Sequence, residues 1–350
     1  MALRDGVSRL DTTPARQLWR SRRRKTATPR LSLSLALQGG GAHGAFTWGV
    51  LDRLLEEDRL DIDGLSGASA GALNAAALAS GWLEGGRDGA RESLDRLWRR
   101  VSSLGEFNPP AAASPALDMM TRMFSPYQLN PLGVNPLRAV LEEAIDFEAL
   151  RAAVAPRLFV SATELKQGRA ALFENPDMTA DALLASACLP HLYRAVAIDG
   201  AHYWDGGFMA NPTIFPLVFH CDSRDVLIVQ IDSLTTDEVP RSARQIANRR
   251  SQIVFNAPLM RELEGLAYMG RMAAAGKARG DSMAARVRGL NLHLLEGGAA
   301  MRALDVSSKQ RADWGFLQDL KAIGREAAAV WLERHGAALG RRSTVELPGA

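Results

Sequence analysis

The chain has 350 residues, of which 47% are apolar and 23% charged, with two cysteines and a formal net charge of +3. Such a composition excludes global disorder, and Cys188 and Cys221 are too few for a disulfide framework and have no CxxC or CxxH partner for a structural zinc site. The charge is uneven, because residues 1–30 carry nine Lys or Arg against Asp5 and Asp11, making them +7, while residues 31–350 are −4.

In chain order, residues 1–30 form a basic leader with the run Arg22-Arg23-Arg24-Lys25 and no apolar stretch of the kind a secretory signal needs. The expected setting is therefore cytoplasmic, with the leader solvated or in peripheral contact with an anionic membrane surface, and no nucleic-acid partner is expected. Two uncharged stretches, 31–51 and 64–83, are long enough to span a bilayer. The first contains Gln38, His43 and a glycine cluster, and the second is mostly Ala, Gly and Ser, so both are expected to be buried α/β segments.

Leucine alternating with small residues over 31–37 predicts a strand that stops at a glycine cluster. From Phe46 the positions Phe46, Val50, Leu51, Leu54 and Leu55 follow a helical period and end in Glu56-Glu57-Asp58. A short connection over 60–66 leads to a second small-residue turn and an Ala-rich segment, 72–79. Helical patterns follow at 91–101 and 136–153, with a strand at 157–162 and another, expected to close the sheet, at 225–231. Between them, 105–136 is rich in Pro, Met and Phe without clear period and is read either as a surface loop or as a lipid-facing cover. Beyond about residue 240 the pattern is helical nearly throughout, strongest at 314–332.

Three local patterns carry chemistry. Gly39-Gly40-Gly41-Ala42-His43-Gly44, between strand and helix, leaves backbone N–H groups uncovered at the positive end of a helix and is read as an anion cradle. Gly39, Gly41 and Gly44 also spell G-x-G-x-x-G, with Asp61 or Asp63 near where a dinucleotide fold puts its ribose-binding acid. Gly67-Ala68-Ser69-Ala70-Gly71 is a G-x-S-x-G sequence after a short strand and before a helix, where small neighbours permit the sharp turn that exposes a serine hydroxyl. Asp205-Gly206-Gly207 puts a carboxylate on a glycine turn, and the block 185–190 and Asn211-Pro212 stand on either side of it.

Together these elements resemble the patatin-like phospholipase family, relatives of the calcium-independent phospholipases, over about residues 31–216. The resemblance implies a three-layer α/β/α core with a mainly parallel sheet. It also implies a Ser69 nucleophile, Asp205 as its only protein base, oxyanion-binding N–H groups at Gly39, Gly40 and Gly41, and a lipid or fatty acyl ester substrate, with no metal or cofactor. Gly44, Gly67, Gly71, Gly206 and Gly207 complete the motifs. One departure is His43, where the family often has Arg or Lys, so that a neutral imidazole supplies less fixed positive charge beside the anion site.

The resulting division is a leader, 1–30, an acyl hydrolase core, 31–235, and a C-terminal helical appendage, 236–350. The resulting activity is ester hydrolysis through a Ser69–Asp205 dyad and a glycine-rich oxyanion hole. Three other readings stay open at the level of sequence: an esterase on soluble or polymeric esters, a dinucleotide-dependent oxidoreductase built on G-x-G-x-x-G, and a membrane-binding scaffold with an inert core. A Ser-Asp-His triad, recruiting His220 or His293, is the competing mechanism for the hydrolase.

Overall fold

A computed structural model describes residues 30–107, 123–236, 239–275 and 283–345. The leader, apart from Arg30, lies outside the described residues, as do residues 108–122 of the Pro- and Met-rich stretch. The first half of the described chain runs β1 (Leu31–Leu37), α1 (Gly44–Leu54), β2 (Leu60–Ala68), α2 (Ala70–Phe107), α3 (Pro126–Leu129), α4 (Leu137–Ala144), α5 (Phe147–Ala152), β3 (Arg157–Glu164) and β4 (Arg169–Glu174). It continues through α6 (Ala180–Ser186), β5 (Val196–Ile198), β6 (Ala201–Asp205), α7 (Phe215–His220), β7 (Asp225–Gln230), α8 (Ala243–Ala275), α9 (Met283–Arg288), β8 (Asn291–Glu296), α10 (Gly298–Arg302) and α11 (Trp314–His335).

The strands make one sheet in the order β5-β6-β3-β2-β1-β7-β8, with β4 also pairing β3. β3, β2, β1, β7 and β8 are mutually parallel, and β4, β5 and β6 add antiparallel pairings at one end. Strands covered on both faces bury successive side chains in opposite layers. On β1, Leu33, Leu35 and Leu37 enter one core with α1, α2 and α11, while Ala36 enters a second with α7 and α8. β7 divides likewise, Leu227 and Val229 against Val226 and Ile228. The architecture is thus the expected α/β/α sandwich.

Several boundaries differ from the sequence reading. Residues 60–66 are strand rather than connection, because Leu60, Ile62 and Leu65 are buried. The two helical patterns at 72–79 and 91–101 belong to one element, α2, bent at Gly85 and Gly86, whose backbone leaves helical geometry. Residues 136–153 form two helices, since Asp146 caps the second by accepting from Ala149 N–H at 2.9 Å.

The larger correction concerns residues 236–350. This region holds the expected C-terminal helices together with β8, which extends the sheet beyond β7, so 225–231 does not close it. α11 is bolted onto the core by Arg325, which pairs with Asp52 and Glu56 of the α1 region, while Arg91 of α2 reaches the same two carboxylates. Asp52 is buried, and these guanidinium groups hold its carboxyl below the usual range against the desolvation that would raise it. Among the described residues no helix is long and apolar enough to cross a membrane.

Candidate active site

The sheet itself brings Ser69 and Asp205 together. β3 has two edges: β4 covers one along Phe159–Glu164, and β2 takes the other only as far as Ser161, which pairs with Ala68. The next residue, Ala162, pairs with Asp205 on β6. β2 therefore leaves the sheet at Ser69 where β6 arrives with Asp205.

Ser69 has φ 52°, a left-handed conformation that a residue with a Cβ adopts at a cost, and it is half-buried. α2 begins at the next residue, so its unpaired first-turn N–H groups and positive dipole end stand at the serine. The turn is closely packed. A Cβ on Gly39 would lie 2.6 Å from Ala68 O and 2.9 Å from Ser69 Cβ, and one on Gly71 would collide with Leu37 O, so glycine loop and serine turn touch backbone to backbone. Gly67 contacts Gly71, and Gly44 faces Ala70 and Trp98.

Asp205 is buried, its Oδ1 accepting from Gly207 N–H at 2.7 Å. Burial pushes its pKa up to about 6; the Gly207 N–H, the Ser69 hydroxyl acting as hydrogen-bond donor, and the Lys309 ammonium oppose that rise. Gly206 lies against Ser161 O, and Gly207 lies under the Phe255 ring of α8. The block 185–190 clamps both halves, since Ser186 Oγ accepts from Ser69 N–H at 2.9 Å and Cys188 O accepts from Asp205 N–H at 2.8 Å.

In the glycine loop the three residues are not equivalent. Gly39 N–H donates to Asn211 Oδ1 at 2.7 Å, so it is engaged in holding the loop and does not offer the oxyanion contact expected of it. Among the described residues, no hydrogen bond engages the N–H groups of Gly40 and Gly41. Gly41 has φ +59°, and a Cβ there would collide with Lys309 O. His43 is buried against Ser308 Oγ at 2.7 Å, and desolvation, helped by Lys309, lowers its pKa to about 4, so the imidazole is neutral near pH 7.

Lys309 is a residue that the sequence reading missed. Its Nζ bonds both Asp232 oxygens, at 2.8 and 2.6 Å, and lies 5.8 Å from the centre of the Phe255 ring. A lysine paired with Asp232 thus reaches the site from a segment about 265 residues after His43, and nothing local in the sequence marks it. A second missed group is the buried amide cluster. Gln38 Oε1 accepts from Ile231 and Asp232 N–H at 2.7 and 2.8 Å, Gln38 Nε2 donates to Asn256 Oδ1 at 2.7 Å, and Asn211 Nδ2 donates to Phe255 O at 3.2 Å. α8 is therefore part of the wall of the site.

The other readings fare differently. β1 and β2 are parallel, and Asp61 pairs with Ser32 at their start, about 20 Å of strand from the glycine loop at their far end. Asp63 already accepts from Asp222 and Ser223 N–H, both at 2.7 Å. Neither acid is where a dinucleotide fold needs one. His293 is fully buried on β8, bonded to Asp225 Oδ1 at 2.9 Å and to Thr344 Oγ1 at 3.1 Å, and the His220 ring lies tilted against Phe159, 6.1 Å between ring centres. Among the described residues no histidine hydrogen-bonds Ser69 or Asp205, and no group of three or more His, Cys, Asp or Glu is placed to hold a metal ion.

A family model described as patatin-like phospholipase matches residues 35–218. No curated protein matches the sequence. Among solved structures, VipD from Legionella pneumophila is similar at 15% identity and a TM-score of 0.38, over 85% of this chain and 67% of that one.

Proposed function

We propose, since the chain belongs to the patatin-like phospholipase family, that it is a serine-dependent lipid acyl hydrolase working through Ser69 and Asp205. The observation that carries this reading is the handover along one edge of β3, which delivers a strained serine and a buried carboxylate to the same point.

The reaction is a two-step acyl transfer. Ser69 Oγ attacks the ester carbonyl carbon while Asp205 takes its proton, and the tetrahedral oxyanion is held by the N–H groups of Gly40 and Gly41 beside the start of α2. The ester C–O bond then breaks, the alcohol leaving with the proton from Asp205. Water attacks the acyl-serine, gives a proton to Asp205, and the acid departs as that proton returns to Ser69. A carboxylate with pKa about 6 is a stronger base than one at 3.8 and remains mostly ionised at neutral pH.

Release of fatty acid from phospholipid micelles, set against turnover of short soluble esters, tests the substrate class. Higher turnover on the micellar substrate is expected. A preference for monomeric esters moves the reading to a soluble esterase, and a folded protein that releases acid from neither substrate overturns it.

Lys309 gives a further prediction. Its ammonium favours ionised Asp205, so Lys309→Met raises that pKa, and the acid limb of the kcat/KM profile moves to higher pH. The double variant Lys309→Met/Asp232→Asn, which leaves no unpaired buried charge, is expected to show a smaller displacement in the same direction with less loss of stability. An unmoved acid limb in both variants refutes the electrostatic role.

A further inference from the structure

α8 is 33 residues long, about 50 Å at the helical rise. Its inner face is core: Asn256, Leu259, Leu263, Leu266, Ala267 and Ala273 are buried. On the opposite side, Ile246, Arg250, Ile253, Val254, Arg261, Tyr268 and Met272 recur at helical spacing and are all exposed. These are large apolar groups, Ile246 at 51%, Ile253 at 54%, Tyr268 at 59% and Met272 at 59%. Such side chains are expected inside a helix interface, yet here they are punctuated by arginine.

Charge narrows what could cover them. Residues 241–272 contain six arginines and two acids, of which Glu262 turns inward to Thr213 Oγ1 and only Glu264, between Arg261 and Tyr268, is exposed on the stripe, so the face remains net positive. Arg244 leans back to Asp305 at 3.5 Å and Arg249 donates to Leu234 O at 3.0 Å, whereas Arg250 and Arg261 stand on the outward stripe. A neighbouring protein helix would bury an apolar stripe without guanidinium groups in its middle. A second copy meeting residues 246–261 through a twofold axis would bring only like charge to the contact. An anionic lipid surface suits both components, with apolar side chains among the acyl chains and guanidinium groups at the phosphates.

The stripe is rigidly joined to the site. Phe255, in the same half of the helix, packs on Phe208 at 5.6 Å between ring centres and over Gly207, whose N–H holds Asp205. Asn256 bonds Gln38, the residue before the glycine loop. We propose that the outward stripe of α8, Ile246 to Met272, is the surface by which this protein lies on an anionic bilayer, an inference that rests on the lipid acyl hydrolase reading for its substrate.

Sedimentation with phosphatidylcholine vesicles, with and without a quarter of phosphatidylserine, tests it in the full chain carrying Ser69→Ala, which leaves the vesicle lipid intact. Binding to the anionic vesicles at low salt is expected. Arg250→Gln/Arg261→Gln should weaken it by a factor of about 25, roughly fivefold per basic side chain near such a surface, with the difference shrinking in high salt. Ile246→Ser/Ile253→Ser should weaken it at both salt concentrations. In the chain with Ser69 intact, both pairs should turn over a short soluble ester normally.

Three results overturn the proposal: no vesicle binding by the parent, binding undiminished in both pairs, which moves the contact to another surface such as residues 1–30, or an isoleucine pair that turns a dimer into a monomer and leaves vesicle binding alone. Failure of the hydrolase reading is separately visible, as absent ester turnover in a parent that still binds vesicles.

Discussion

Ser69→Ala is expected to lower ester turnover by a factor on the order of 10⁴–10⁶, the range seen when a hydrolase loses its nucleophile but keeps its oxyanion donors. The N–H groups of Gly40 and Gly41 and the start of α2 do not depend on the hydroxyl, so on the proposed mechanism the remaining catalysis would be theirs. A fluorophosphonate reagent should label the chain once, on the peptide containing Ser69, and labelling that persists in Ser69→Ala refutes the assignment. The backbone gives an independent check on the turn. At φ 52° a Cβ costs roughly 1 kcal/mol, so Ser69→Gly should unfold at a higher denaturant midpoint than Ser69→Ala. Equal midpoints would mean that the serine is not held under strain.

What could be read from the sequence was what the backbone demands locally. Gly39, Gly67 and Gly71 are glycine because the two loops touch, and that need is written as a short pattern. Ser69 and Asp205 stand out as candidates because such patterns surround them. The supporting roles have no comparable mark: Ser186 and Asn211 stand out only as parts of the blocks beside Asp205, Asn256 and Lys309 not at all, and the partners of Asn211, Ser186, Asn256 and Lys309 lie 172, 117, 218 and 77 positions away. A carbonyl or amide that clamps a loop across such a separation leaves no periodicity. β8 was missed for a related reason. A six-residue run with buried residues on both faces, Asn291–Glu296, looks the same whether it continues a helical region or pairs with a strand, and only β7 decides. The C-terminal helices were legible as helices, but their amphipathic pattern does not say that α8 carries Asn256 to the site or that the segment before α11 carries Lys309 there.

Asp205→Asn separates a dyad from a triad. It keeps an oxygen for Gly207 N–H but removes the proton acceptor, so turnover should fall by a factor on the order of 10²–10⁴, the usual contribution of a general base. His293→Gln and His220→Gln should each retain most activity, because His293 is committed to Asp225 and Thr344 on β8 and the His220 ring lies by Phe159. A folded histidine variant as inactive as Asp205→Asn defeats the dyad. Stability should move the other way from activity. Burial holds the folded-state pKa of Asp205 at about 6 against an ordinary 3.8, so the native protein holds a proton that the unfolded chain releases between those values. Its stability therefore falls as pH rises through that window, by about 3 kcal/mol once the carboxyl is ionised in both states. Asn carries no such penalty. Asp205→Asn should accordingly be more stable than the parent at pH 7–8, by up to that amount, with the advantage fading as pH falls toward 4. Denaturant titrations at pH 4 and pH 8 measure the difference, and a gain that does not depend on pH would show that the buried carboxylate is not its source.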